Sequence, residues 1–545
     1  MEVKPEVMAA ADSYAAVGNA VSLSKTYSSS DCFFSNAPLA YQPYYFHVMR
    51  KCQQFYDGYV PGIHDNSDGI YSTRMAASIC GGLANKTVGA EIGFRCGSGE
   101  ADRKALEYVG HRWSKKVHLQ TFCRQAIEYA YALGNSLIKI NVASNGDRWV
   151  SAVRGDQYVF AEGAMGELTD VKCLVNAYSD TDGKKNDVYM LIEHRFLKNS
   201  PKKAKWRNSE GEEFEFEADS QIPYVSFEVV KADVAYGMKL DALYVAQPIK
   251  NFDDIPKSVV RAINKDYGSY KLNEPMPMPF PSGNIGAWNL KSNGYDGNVP
   301  NMPFGKSILK DIWVELAEYD IYTSFCDKDV NNGQGTVFTP KSMDITDLNP
   351  SIGVDQNGME LVSTPREAYR KVVSNIQVLD GVDGEKSKPF VNQFSLRAQE
   401  WERLQDNCLR RMAAKLHMSP KVIASFLGKE AVDKTATEID SEDDTTVDWV
   451  RIQRSIFKPC FDELIETVLS SEGINGNVEM RFGSIGSKSR KIMLDEIAIM
   501  MEHNLISRTE AMRELFEDKD EIQLNELIDE TKKEMEEQRD LFIGG

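Results

Sequence analysis

The stretch from Ser395 to Leu469 constrains this chain more than any other, because it places two long helical periodicities on either side of a single break. From Leu396 to Leu416 the apolar residues Trp401, Leu404, Cys408, Met412 and Leu416 recur every three or four positions, with Arg397, Glu400, Arg403, Arg410 and Arg411 between them. That spacing predicts a one-faced helix roughly 30 Å long. Ser419-Pro420 ends it, since proline disfavours helical backbone in the residue before it. Lys421 to Lys434, with Gly428 and mixed charge, reads as a loop or short broken helix. Thr435 to Glu438 fits a capping box, in which the threonine oxygen accepts from the amide three residues on while the glutamate reaches back, so a second helix starts near Ala436. Trp449, Ile452, Ile456, Phe457, Cys460, Phe461, Leu464, Ile465 and Val468 give that helix a wide apolar stripe. Pro459 removes one backbone hydrogen bond within it, which predicts a kink and not a stop.

The 545 residues suggest three or four structural units, and 42% apolar residues supply substantial cores. Residues 1 to 110 read as largely helical, with an aromatic patch at Tyr44 and Phe46 and glycine breaks at Gly81, Gly82 and Gly93. From Lys115 a clearer helix carries Leu119, Phe122, Cys123, Ala126, Ile127 and Ala130 to Gly134, a natural C-terminal cap. Strand-like runs follow at 137–142 and 149–153 around an Asn145-Gly146 turn, then at 158–161, 171–177, 188–196 and 213–217. No βαβ rhythm is visible, so the fold class is α+β with antiparallel, meandering strands. Between Asp254 and Pro303 the order weakens, and Pro275, Pro277, Pro279 and Pro281 alternating with Met276, Met278 and Phe280 read as an extended arm or linker.

After Pro303-Phe304-Gly305 another helix carries Ile308, Leu309, Ile312, Leu316 and Tyr319 on one side and ends around Asn331-Asn332-Gly333. A small α/β insert comes next, with strands near 336–339, 359–362, 378 and 390–394, and a helix from Pro365 to about Ile376 opened by the Thr364-Pro365-Arg366-Glu367 capping box. The C-terminal end is helical again from Ile492 to Met501, closed by Asn504. Ser507-Arg508-Thr509-Glu510 is a further capping box, and the acidic stretch from Thr531 to Gly545 reads as a solvated, frayed tail.

Catalytic and metal signatures are missing. Nine cysteines run from Cys32 to Cys460 without close pairs, which fits a reducing compartment and no disulfide framework, and no CxxC, HExxH or calcium loop accompanies them. Gly483-Ser484-Ile485-Gly486-Ser487-Lys488-Ser489 has the wrong spacing for a phosphate loop and reads as a turn. His417 at the helix end reads as structural, Arg154-Gly155-Asp156 as a turn, and Lys202-Lys203-Ala204-Lys205 as a solvated hairpin tip. No window approaches the roughly 18 to 20 apolar residues of a membrane span, and the N-terminus lacks the pattern of a secretory signal, so a soluble protein is expected. Lys421, Lys429 and Lys434 lie in one short segment of a chain whose net charge is −18, either as an ordinary surface loop or, in a ring, as a repeated positive girdle.

The order of these elements from Met302 onward resembles the portal proteins of tailed bacteriophages: Pro303-Phe304-Gly305-Lys306-Ser307 opening a helix, a β-containing insert, a second helix, a loop, Thr-Ala-Thr-Glu starting a long helix with a proline, and C-terminal helices. Leu505-Ile506-Ser507-Arg508-Thr509-Glu510-Ala511 and Ala132-Leu133-Gly134-Asn135-Ser136-Leu137-Ile138-Lys139-Ile140 are also similar to segments of that family. The resemblance covers the chain from about residue 115. It implies an α/β wing over 1–302 with a proline-rich arm at about 254–302, stem helices at 303–331 and 395–417, and a small α/β clip at 332–394. It further implies a tunnel loop at 418–435, a long kinked helix at 436–474 and a helical crown with an acidic tail at 475–545.

As function, the resemblance implies a ring, commonly of twelve subunits, at one capsid vertex of the virion, made in the host cytoplasm. Double-stranded DNA enters and leaves through it during packaging and ejection. Its partners would be terminase, a head-tail adaptor, and the major capsid and scaffold proteins, with no membrane, no cofactor, no metal and no enzymatic activity of its own. Lys421, Lys429 and Lys434 would touch DNA in the channel, while Thr435, Glu438 and Pro459 would start and kink the long helix. An acidic wall with a few lysines suits a conduit, although acidity also serves plain solubility. The rival readings are another virion structural protein, such as a head-tail adaptor or scaffold-binding protein without an axial channel, and a cytoplasmic enzyme.

Overall fold

A computed structural model describes residues 42–64, 69–97, 99–142, 148–162, 167–179, 188–199, 203–207, 213–217, 221–232, 249, 254–267, 274–281, 283–293, 304–332, 336–340, 376–379, 390–392, 397–427, 436–483, 497–503, 506–507, 511–512, 527–528 and 533. They fall into two units: Met1–Gly58 with Arg74–Trp313 and Lys415–Gly545, and Tyr59–Thr73 with Val314–Ala414.

The first unit opens with α1 (Gln42–Asp57), α2 (Met75–Val88), β1 (Gly93–Cys96) and α3 (Glu100–Leu106). The last of these runs on through a π-helical segment, Glu107–Trp113, to Lys116. In α4 (Leu119–Leu133) the six residues of the expected apolar stripe are all buried, and Gly134, at φ 87°, closes the helix. It begins at Leu119 and not at Lys115, because His118 adopts φ 50° in the left-handed region and interrupts the run. Gly81 and Gly82 lie inside α2, so they are not breaks. Gly81 faces the Glu128 carboxylate and Gly82 lies under the ring of Phe426, a neighbour 344 positions away that local sequence does not reveal.

Two antiparallel sheets follow. The pair β2 (Asn135–Val142) and β3 (Arg148–Arg154) forms as the alternation predicts, with the Asn145-Gly146 turn outside the described residues, and β11 (Ala287–Lys291) adds to the other side of β2. Arg154 ends its strand and Gly155–Gln157 makes a 3-10 turn. The second sheet comprises β4 (Tyr158–Glu162), β5 (Leu168–Ser179), β6 (Val188–Asn199), β9 (Gln221–Ala232) and β10 (Met276–Pro277), in the order β10-β9-β6-β5-β4. Leu137, Val153, Tyr158, Phe160, Val171, Cys173, Ile285 and Ala287 form one buried cluster contributed by strands of both sheets and the segment before β11.

The proline-rich segment is therefore no free arm. Met276 and Pro277 pair with Val225 and Tyr224 at a sheet edge, the Met278 amide donates to the Pro223 carbonyl at 2.9 Å, and Met278 and Phe280 are buried. Prolines are tolerated there because an edge strand leaves one row of amides unneeded, and they also blunt the edge against further pairing. The helix Lys257–Tyr267, α5, also lies in the stretch where order was expected to weaken. A buried ionic group seats this segment: Arg195 donates to the Gly286 carbonyl at 2.8 Å and to Glu193, whose other oxygen accepts from Lys139. Burial opposes the charge on Glu193, but Arg195 and Lys139 outweigh it and hold the carboxyl down at about 2.

Lys203 and Lys205 belong to β7 (Lys203–Arg207), opposite Glu217 and Glu215 of β8 (Glu213–Glu217), so they are strand residues and not a hairpin tip; Lys202 lies outside the described residues. The short antiparallel pair of β1 with β15 (Val478–Arg481) has no signature in the sequence.

In the second unit, α6 (Trp313–Asn332, with Val314 onward in this unit) and α7 (Ala398–Leu416, to Ala414 in this unit) lie antiparallel. Trp401 donates to Asp329 at 2.6 Å, Gln405 to Thr323 at 3.3 Å, and Arg411 to Glu318, so partners descend along α6 as they ascend along α7. The segment 59–73 is held against α6 by Asp320, Ser324 and Asp327, three residues on one helical face. Between the helices, β12 (Thr336–Pro340) pairs in parallel with β13 (Ile376–Leu379) and antiparallel with β14 (Phe390–Asn392). The expected strand at 359–362 lies outside the described residues, as does the helix expected from Pro365 except for Ile376, which opens β13.

Candidate functional site

The segment joining α7 to the long helix carries most of the candidate residues. His417 adopts φ 55°, the left-handed conformation that stops a helix, and its side chain is exposed. It acts through its backbone. Ser419-Pro420, expected to end α7, instead starts α8 (Pro420–Ser425), because His417 has already stopped α7 at Leu416: the Ser419 hydroxyl accepts from the Lys421 amide at 3.3 Å and proline occupies the first turn, where its missing amide is harmless. The Ser419 amide donates to the Thr446 hydroxyl at 3.2 Å, tying α8 to the next helix.

Lys421 lies in the first turn of α8, and its ammonium nitrogen is buried. Lys429, Lys434 and Thr435 lie outside the described residues. Phe426 follows α8 and packs on Gly82 of α2, where a Cβ carbon in place of the glycine hydrogen would lie 2.3 Å from the ring. The end of α8 is thus seated on α2 through Phe426.

Helix α9 (Ala436–Ser471) starts where the capping box predicts. Its 36 residues span about 54 Å at 1.5 Å each. Glu438 is in its first turn and Pro459 in its interior, so the Ser455 carbonyl lacks its usual amide partner there. Phe457, Phe461, Leu464, Ile465 and Val468 are buried, whereas Ile452, expected in the stripe, is 59% exposed.

Polar contacts fix the C-terminal half of α9 within the first unit. Gln453 donates to Asn293 at 2.6 Å, Glu463 accepts from the Trp288 indole at 2.8 Å, and Thr467 accepts from Asn284 at 2.9 Å. The 284–293 segment therefore runs antiparallel along the helix. Arg454 donates to the Thr87 carbonyl at 2.7 Å and the Gly483 carbonyl at 2.6 Å, using the C-terminal end of α2, where carbonyls have no helical partner. Arg148 does the same for α9, donating to the Ser471 carbonyl at 2.8 Å and pairing with Glu472. Arg454, Arg148, Gly82 and Phe426 carried no signal in the sequence beyond the unusual Gly-Gly in a helix, because each acts through a partner distant along the chain.

Burial pushes the Cys460 thiol up to about 12 and the Cys52 thiol up to about 11, which leaves neither as a thiolate near neutral pH. Among the described residues no three His, Cys, Asp or Glu side chains converge as metal ligands, and no helix is long and apolar enough to cross a membrane.

No protein-family model matches the chain, and no curated protein matches it. Among solved structures it is similar to a chain in the virion of a native gene transfer agent particle, at 10% identity over 86% of this chain and 92% of that one, with a TM-score of 0.39. A chain in the neck of an empty gene transfer agent particle computed with C6 symmetry gives 10% identity, 86% and 93% coverage and a TM-score of 0.39. A chain in the neck of the native particle computed with C12 symmetry gives 10%, 81% and 89%, and 0.38. At these TM-scores the likeness fixes neither fold nor role.

Proposed function

We propose that this chain is a portal protein of a tailed-phage-like particle, a ring subunit through which double-stranded DNA is packaged and released. The observation that carries the reading is the linear arrangement α6, three-stranded β insert, α7, short connecting segment, then a 36-residue helix through a proline that packs back into the α/β unit. In this reading the wing is 1–302, the stem 303–331 and 395–417, the clip 332–394, the tunnel loop 418–435, the long helix 436–474 and the crown 475–545. Ring closure uses a patch on one subunit against a different patch on the next. The motor is a separate terminase, so this chain needs no nucleotide site of its own. Once filled, the capsid vertex is handed to a head-tail adaptor.

The physical requirement on the loop is weak, repeated contact. Every phosphate neutralised in a tight complex adds to affinity and so resists movement. Lys429 and Lys434, repeated around an axis, would supply brief contacts in a chain of net charge −18. Lys421, with its ammonium buried at the start of α8, instead anchors the loop's origin. Alanine at Lys429 and Lys434 should lower packaging or retention of DNA in particles while assembly proceeds. Alanine at Lys421 should loosen α8. Normal packaging by the double variant would remove these lysines from the channel.

A further inference from the structure

The charge of this chain is segregated. Between Arg103 and Arg124 there are six lysines and arginines and a single acidic residue, Glu107, a net +5 that leaves −23 on the rest. The six are Arg103, Lys104, Arg112, Lys115, Lys116 and Arg124, and every one is exposed. They lie on the helical run that passes from α3 through the π-helical segment to Lys116, and on the first turns of α4. The apolar residues of the same stretch, Ala105, Leu106, Val109, Trp113, Leu119 and Phe122, face inward and are buried.

That division selects the ligand. A protein partner needs apolar or aromatic anchors at the centre of its interface, and this outer face has no exposed large apolar residue. What it offers is six exposed cations along one helical run and the start of the next helix, with Lys104 paired to the exposed Glu100 at 3.0 Å and the other five carrying the excess. From Arg103 to Lys116 the helix covers about 15–20 Å, a length over which duplex DNA, with a charge every ~1.7 Å of axis, presents about ten phosphates. Binding of this kind is independent of base sequence, since nothing on the face reads base edges.

We infer that the 103–124 face is a second nucleic-acid contact, a sequence-independent site for the phosphates of duplex DNA, separate from the 418–435 segment. It goes beyond the conduit reading and does not depend on it, because it requires neither a ring nor a channel.

The test is fluorescence anisotropy of the full chain with a labelled random-sequence duplex across a salt series. Two triple variants are compared with the parent. R103Q/R112Q/K115Q removes three cations from the face. K257Q/R261Q/K265Q removes three exposed cations from α5, a stretch whose sequence also carries Asp254 and Asp266. Glutamine is a good helix former at all six positions, so far-UV circular dichroism should be unchanged. The first triple should weaken binding at least tenfold and lower the slope of log K against log salt by about 2.7, at about 0.9 for each phosphate no longer neutralised. The α5 triple should change neither. Equal losses in both triples, no binding by the parent at low salt, or competition by polyglutamate as effective as by DNA would each overturn the assignment. None of these results would bear on the packaging role of Lys429 and Lys434.

Discussion

Placing a methyl on Gly82 tests how the connecting segment is seated. An ideal Cβ there falls 2.3 Å from Cδ1, 2.5 Å from Cε1 and 2.7 Å from Cγ of Phe426, well inside contact distance, so the ring must move. Two effects compete. Alanine is favoured over glycine in a helix interior by about 0.5–1 kcal/mol. Overpacking a well-filled site costs about 1–3 kcal/mol. Gly82→Ala should therefore destabilise the first unit by up to about 2 kcal/mol in the parent, and stabilise it by up to about 1 kcal/mol once Phe426→Ala has removed the ring, a coupling of about 1–3 kcal/mol. Denaturant unfolding of the four proteins measures the cycle. Hydrogen exchange gives an independent readout, because the Phe426 and Leu427 amides donate to Val422 at 3.3 Å and Ala424 at 3.0 Å and should exchange faster in Gly82→Ala. If Gly82→Ala stabilises both backgrounds equally and leaves those amides protected, Phe426 does not anchor the segment.

Glu193→Gln leaves Lys139 and Arg195 buried without their shared anion and should cost about 3–5 kcal/mol in denaturant unfolding; a loss below about 1 kcal/mol would contradict the seating role given to this group. Because the folded carboxyl titrates at about 2 against an ordinary 4.5, its contribution is fully present above pH 4.5 and disappears as pH falls toward 2, amounting to about 3 kcal/mol at about 1.36 per unit. In Glu193→Gln that acid-dependent part of the stability curve should be absent. His417→Gly relieves a left-handed backbone and removes only an exposed ring, so stability should rise by about 1 kcal/mol, and a fall of that size would mean that His417 acts through its imidazole as well as its backbone.

Helices with one apolar face were legible because their period is local. The stripe of α4, the stripe of α9 from Phe457 to Val468 and the start of the latter at Ala436 follow from spacing and capping, while Ile452 is exposed. What escaped was decided by distant partners. Gly81-Gly82 looks like a break until Phe426 is placed on it, and the alternating prolines look like a linker until Met278 and Phe280 are found buried beside β9. The β1–β15 pair joins residues nearly 400 positions apart with only four residues a side, too short to leave a periodicity. Of the candidate channel residues, the sequence offers three lysines in one segment, and Lys429 and Lys434 lie outside the described residues. It gave no sign that the Lys421 ammonium turns inward, because the direction of one side chain at a helix start depends on the body it packs against.

Closure of these chains into a ring around DNA is the central claim. Light scattering and electron microscopy of one purified fraction test it together. Twelve chains of 61.2 kDa predict a particle of 12 × 61.2, about 734 kDa, with an open central hole. A single 61.2 kDa species that stays monomeric when the capsid and scaffold proteins are supplied would contradict it and return the adaptor reading to first place.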